Sequence, residues 1–229
     1  MTLGFKRIVS LARKRTKNPA KEAKLLQELL PRFATIVPED GGVVEKLADL
    51  FFNNLGLPVY PSYVLEIGFG SGENILFNAK NNPDLGYIGC EVFTGGVVKL
   101  LEDIQENQLN NIRIWHDDAL ELIARLPLNS LKLVYILHPD PWPKQRHHKR
   151  RLINAEFLRL LASKMARGAE ILMITDHPDY AESIAATTEE VMDIFTPKFD
   201  NYPSITKTKY RLKADAQGVE SKYFCLIKK

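Results

Sequence analysis

Between residues 62 and 175 the chain repeats one pattern: a short apolar run, a turn, then a segment with helical spacing. SYVLEIGFG (62–70) reads as a strand running into a glycine turn. YIGCEV (87–92), NIRIWH (111–116), LKLVYILH (131–138) and AEILMIT (169–175) repeat the strand signal. Helices are expected at 43–55, 73–80, 95–108, 119–126, 149–165 and 178–195, with Leu152, Ile153, Phe157, Leu160 and Leu161 as an apolar stripe in the fifth. The strands are continuously apolar and do not alternate, which marks a sheet buried on both faces. Few topologies satisfy such repeats. The expected one is an α/β Rossmann-like fold with a mostly parallel sheet and helices on both faces. The tail alternates through 204–213 and again at 222–228, with Ala-Gln-Gly between, which predicts a C-terminal antiparallel hairpin.

Composition narrows the partners. With 45% apolar residues the chain can bury a real core, and its net charge of +3 means that basic residues matter only where they cluster. They cluster twice. Residues 5–24 hold eight Lys or Arg against the single acid Glu22, which reads either as a solvated arm or as an arm for phosphates. Residues 1–30 are accordingly expected to be a basic arm and 31–229 a single domain. The second cluster is 144–151. Cys90 and Cys225 lie far apart in apolar text and lack metal-ligand spacing, so neither a disulfide framework nor a metal is expected. No run of about 18 apolar residues calls for a membrane span. The N-terminus has no long apolar region or small-residue cleavage site, and a reducing, cytoplasmic setting is expected.

Gly68, Gly70 and Gly72 follow the first strand, where glycines let a ligand approach the backbone. Glu66 precedes them within the strand. Glu91 ends the second strand, placed to accept both hydroxyls of a ribose, and Asp117-Asp118 end the third, within reach of an adenine amino group. A nicotinamide dehydrogenase also uses a ribose-binding acid, but it needs G-x-G-x-x-G. Here Glu73 follows Gly72, and an acid at a helix start repels pyrophosphate. The set suits a ligand with positive charge and no phosphate, namely S-adenosylmethionine. Structurally, Glu91 could instead be an exposed strand-end acid and Glu73 a favourable charge on the helix dipole.

At the end of the fourth strand stands HPDPWPKQRHHKRR (138–151), with Asp140 in a stiff proline frame and the cations Lys144, Arg146, Lys149, Arg150 and Arg151 behind it. In open parallel sheets ligands bind at the carboxyl ends of the strands, so Asp140 and Trp142 belong beside the transferable methyl. Asp140-Pro-Trp is similar in kind to the (Asp/Asn)-Pro-Pro-aromatic element of amino-methyltransferases, in a different order. The cations would sit at the start of the helix over 149–165, against its dipole, which points to a bound phosphate as the compensating partner.

VLEIGFGSGE (64–73), GCEVFTGGV (89–97), HPDPWPKQRHHKRRL (138–152), TDHPDYA (175–181) and TKYRLKA (208–214) resemble the bacterial tRNA (guanine-N7)-methyltransferases, in order, over about residues 30–229. The resemblance implies a class I S-adenosylmethionine-dependent methyltransferase fold acting on the variable-loop guanosine at tRNA position 46. It implies that Glu66, Gly68, Gly70, Glu91, Asp118 and Asp140 hold the cofactor, that Asp140 is the active-site residue, and that Lys144 and Asp176 bind substrate. The family's C-terminal Thr-Lys-(Tyr/Phe)-Glu element, part of the guanine site, corresponds to Thr208, Lys209, Tyr210 and Arg211. Arg211 stands where glutamate is usual, and it cannot accept hydrogen bonds from the guanine edge. Asp215 could take over that role, or Arg211 could bind phosphate. Two alternatives stay open: methylation of another RNA or protein nitrogen, and a non-catalytic RNA-binding subunit with this fold. The oligomeric state, monomer or homodimer, is open too.

Overall fold

A computed structural model describes residues 18–35, 37, 42–51, 59–206 and 220–229. Its centre is a seven-stranded sheet: β1 (Tyr63–Ile67), β2 (Gly86–Cys90), β3 (Ile112–Trp115), β4 (Leu131–Leu137), β5 (Met165–Thr175), β6 (Phe195–Lys198) and β7 (Lys222–Lys228). The spatial order is β3-β2-β1-β4-β5-β7-β6. The first five strands run parallel, and β7 lies antiparallel between β5 and β6. Chain order therefore reverses between β1 and β4, and open parallel sheets bind ligands at such a reversal, at the strands' carboxyl ends.

Among the described residues six α-helices cover the faces: α1 (Pro19–Phe33), α2 (Glu73–Asn81), α3 (Thr94–Glu106), α4 (Ala119–Arg125), α5 (Ala155–Lys164) and α6 (Pro178–Glu190). Successive strand residues point to opposite faces and so join different cores. Val64, Tyr87, Ile114, Tyr135 and Ile174 pack with α1, α2 and α3. Leu65, Ile88, Val134, Ile136 and Ile171 pack with α4, α5 and α6. Burial on both sides is why the strands read as continuous apolar runs.

Four segments depart from the pattern that their spacing predicts, each for a local cause. The helix expected over 43–55 is a short 3-10 turn, Leu47–Phe51, with residues 52–55 outside the described region. Its backbone is claimed otherwise: Val44 donates to the Arg125 carbonyl at 2.8 Å, and the Asp49 carboxylate takes the Lys46 amide at 3.1 Å. The helix expected over 149–165 begins only at Ala155, because the Asn154 side chain caps it by accepting the Phe157 amide at 3.0 Å. The basic run instead occupies a 3-10 turn, Gln145–Arg150, so no long helix dipole opposes it and no phosphate is required as compensation. The helix after β5 stops at Glu190, and the fully buried Phe195 opens β6. The antiparallel partners of 222–228 are thus β5 on one side and 195–198 on the other. Residues 204–206 are not a strand, and 207–213 lie outside the described residues.

Helix α1 is an addition to the predicted elements. Asn18 caps it by accepting the Lys21 amide at 3.1 Å, and Pro19 fits its first position. Leu29 and Phe33 are buried against the domain, so the expected arm boundary at residue 30 falls inside a packed helix. Residues 1–17 lie outside the described region.

Candidate active site

The glycine turn after β1 takes left-handed backbone at three positions, with φ of 71° at Gly68, 60° at Gly70 and 84° at Gly72, a region other residues rarely enter. Gly96 in α3 matters as much. A Cβ there would lie 2.0 Å from the Gly70 carbonyl oxygen, so helix and turn touch only because Gly96 lacks a side chain. The pair Gly95-Gly96 inside a segment with helical spacing was the sequence signal for this close approach, and the motifs alone did not reveal it.

Three acids lie in or just beyond β1, β2 and β3. Glu91 is held by main chain: one carboxylate oxygen accepts the Gly70 amide at 2.8 Å, and the other accepts the Val92 and Phe93 amides at 2.8 and 2.9 Å. Asp118 caps α4 by accepting the Leu120 amide at 2.9 Å, while the Trp115 indole donates to its carbonyl. Glu66 is buried in β1 and accepts from the Asn74 side chain at 2.8 Å. Burial pushes its carboxyl up to about 8, opposed by the Asn74 bond and reinforced by nearby Glu73. Asn74 does more: its side-chain oxygen Oδ1 accepts from the Asn78 side chain at 3.2 Å and from the Thr206 amide at 3.2 Å. The segment leading toward residues 208–211 is thereby tied to the first turn of α2. Two asparagines four residues apart on the inward face of a helix were the available signal for this network.

The donor set fits a cationic nucleoside. Glu66, Glu91 and Asp118 all accept hydrogen bonds, and an added Cβ at Gly68 would meet nothing within 4 Å, which leaves room over the turn. A pyrophosphate would be repelled by Glu73 in the first turn of α2.

Beyond β4 the chain turns sharply. His138 and Trp142 have φ of 51° and 47°, costing on the order of 1–3 kcal/mol each for non-glycine residues, so their surroundings must hold them. The His138 amide donates to the Ile174 carbonyl at 2.8 Å, and its ring nitrogen Nδ1 lies 3.6 Å from Asp176, just after β5. Arg150 stacks its guanidinium over Trp142, 4.9 Å from the ring centroid. Asp140 is exposed on this turn, four residues past Ile136, which pairs with Ile67 beside the glycine turn. Asp140, Asp176 and the glycine turn therefore share the carboxyl edge of the sheet. Lys144, Arg146 and Lys149 are exposed. Arg151 is not: its side chain is 5% exposed and bonded to protein groups, which removes it from the phosphate-binding cations that the sequence suggested. Thr208, Lys209, Tyr210, Arg211 and Asp215 lie outside the described residues.

Residues 61–223 match a protein family described as "Putative methyltransferase". The tRNA (guanine-N(7)-)-methyltransferase of Zymomonas mobilis is 38% identical over 217 residues, covering 89% of this chain and 87% of that protein. The enzyme of the same name from Wolbachia pipientis is 49% identical over 150 residues, covering 66% of this chain and 67% of its own length. This chain belongs to the bacterial tRNA (guanine-N7)-methyltransferase family. Among solved structures, the 16S rRNA methyltransferase KamB superposes with a TM-score of 0.52 at 16% identity, over 74% of this chain and 89% of that one. TrmN from Thermus thermophilus gives 0.53 at 18% identity, over 74% and 45%. At such identities these two show the fold alone, the class I methyltransferase fold.

Proposed function

We propose that this protein transfers a methyl group from S-adenosylmethionine to N7 of the variable-loop guanosine, position 46, of tRNA, in the cytoplasm. The observation that carries the reading is the neighbourhood of β1 and β4: an acid-lined glycine turn on one and the Asp140 turn on the other, at the reversal of strand order. The named relatives act on tRNA guanine N7, and family membership brings that activity here. Among the described residues no helix is long and apolar enough to cross a membrane, and no group of His, Cys, Asp and Glu is arranged to hold a metal.

Glu91 is set to accept ribose hydroxyls with its remaining lone pairs, Asp118 to meet the adenine end, and Glu66 to face the cationic amino acid end, whose charge would draw its carboxyl toward the ionised form. When bound, the cofactor supplies an electrophilic methyl on a sulfonium. Guanine N7 carries no proton and presents an in-plane lone pair, so no side chain need act as base. Positive charge arrives on the purine during transfer. The Asp140 carboxylate stabilises that charge more in the transition state than in the ground state. Asp176 and Lys144 orient the nucleoside, and Lys144, Arg146 and Lys149 hold phosphates in screened, salt-sensitive contact.

The test is purified protein with labelled S-adenosylmethionine and unmodified tRNA, the product mapped by reductive cleavage and primer extension. A stop at guanosine 46 is expected. Label in another nucleotide or in protein would replace this substrate, and failure to bind the cofactor would favour an RNA-binding subunit without catalysis.

A further inference from the structure

The turn bearing Asp140 is closed from beneath by the last residue of the basic run. The Arg151 Nε donates to the Pro141 carbonyl at 2.9 Å, and Pro141 directly follows Asp140. Its Nη2 donates to the Asp179 carboxylate in the first turn of α6 and lies 3.2 Å from His148 Nε2. The guanidinium face lies 4.8 Å from the Tyr180 ring centroid, and the Tyr180 hydroxyl accepts the Ile153 amide at 3.1 Å. Pro141 is thus tied to the start of α6 through Arg151 and Asp179, and Ile153 is tied to it directly.

We propose that Arg151 and Asp179 form a clamp that fixes the Asp140 turn against α6, making Arg151 a positioning residue for methyl transfer and not a phosphate contact. The proposal rests on the role given above to Asp140. Arginine is the side chain that can do this, because its planar fork bonds along two edges while its face stacks, which a lysine cannot reproduce. Trp142, next to the clamped Pro141, keeps its left-handed backbone only while its surroundings hold it. An RNA phosphate would have to displace Asp179 and reach a covered side chain. The Arg151 guanidinium also holds the Asp179 carboxyl below its ordinary range, as expected of a standing pair.

The experiment compares Asp179→Asn and Arg151→Lys with the unaltered full chain. Asp179 is half exposed, so its isosteric variant should fold; melting curves check both. Single-turnover transfer at saturating tRNA and cofactor should fall about 10- to 100-fold, the scale of a displaced reacting group. tRNA affinity and its salt slope should not change, and trypsin should cut faster after Lys144 and Arg146. Full transfer rate in Arg151→Lys would overturn the clamp. So would tighter tRNA binding with a salt slope steeper by about one in Asp179→Asn, the sign of an arginine released to a phosphate. If the unaltered protein methylates no tRNA, the proposed function fails, and the clamp is judged by proteolysis: unchanged cutting in Asp179→Asn overturns it.

Discussion

At the ends of β1 and β2, main chain holds side chains. Glu91 is fixed by three backbone amides, and the glycine turn rests on α3 through Gly96. At the ends of β4 and β5, side chains hold main chain. Arg151 takes the Pro141 carbonyl, and Arg150 and His147 pack on Trp142. The first region is held by backbone hydrogen bonds and close helix packing, as the proposed cofactor site requires. The second is a strained turn whose geometry depends on a few charged groups, some of which look like RNA contacts in the sequence and are structural. Neighbouring cations in one basic run can therefore have opposite duties, and burial separates them.

Substitutions sharpen the contrast. The largest effect belongs to the reaction end: Asp140→Ala should lower single-turnover transfer by about 10²- to 10³-fold, with cofactor and tRNA affinities, read by calorimetry and filter binding, largely kept. At the cofactor end, Gly96→Ala should weaken S-adenosylmethionine binding by about tenfold or more in calorimetry while leaving tRNA affinity intact, since its Cβ would strike the Gly70 carbonyl. Equal loss in both affinities would break the division between the regions.

Glu66→Gln separates binding from stability. The folded-state carboxyl titrates near 8, above its ordinary value of 4.5, so the folded protein holds this proton more tightly than the unfolded chain. The stability that this group contributes is full below about 4.5, declines as pH rises, and levels off above about 8. The glutamine variant escapes that decline. Its melting temperature should exceed the parent's by a margin that grows from about pH 5 to about pH 8, while cofactor affinity falls. The smallest effect is expected from Lys149→Glu: weaker tRNA binding at every sequence and a log–log salt slope shallower by about one, with the transfer rate at saturation kept.

Much of this was legible in the chain. Strand positions and both cores follow from apolar runs too continuous for a one-sided sheet, and the three acids proposed for the cofactor lie in or just beyond strands that the runs define. What stayed hidden depended on contacts between distant residues. Asn154 as a cap redirects the backbone of 149–153, so part of a stripe with helical spacing lies ahead of the helix. Asp179, 28 residues from Arg151, decides that this arginine is internal. Asn74 meets Thr206 across 132 positions, a link that no local pattern encodes. β6 was hidden because Phe195 continues the apolar spacing of the preceding helix while its backbone pairs with β7.

The central claim is that the negative charge of Asp140, and not merely its shape, lowers the barrier. Asp140→Asn keeps the shape and the hydrogen-bonding oxygen and removes the charge. Single-turnover transfer to unmodified tRNA, with cofactor and tRNA both saturating, should fall about 100-fold while both dissociation constants stay put. A rate close to that of the unaltered protein would contradict the account.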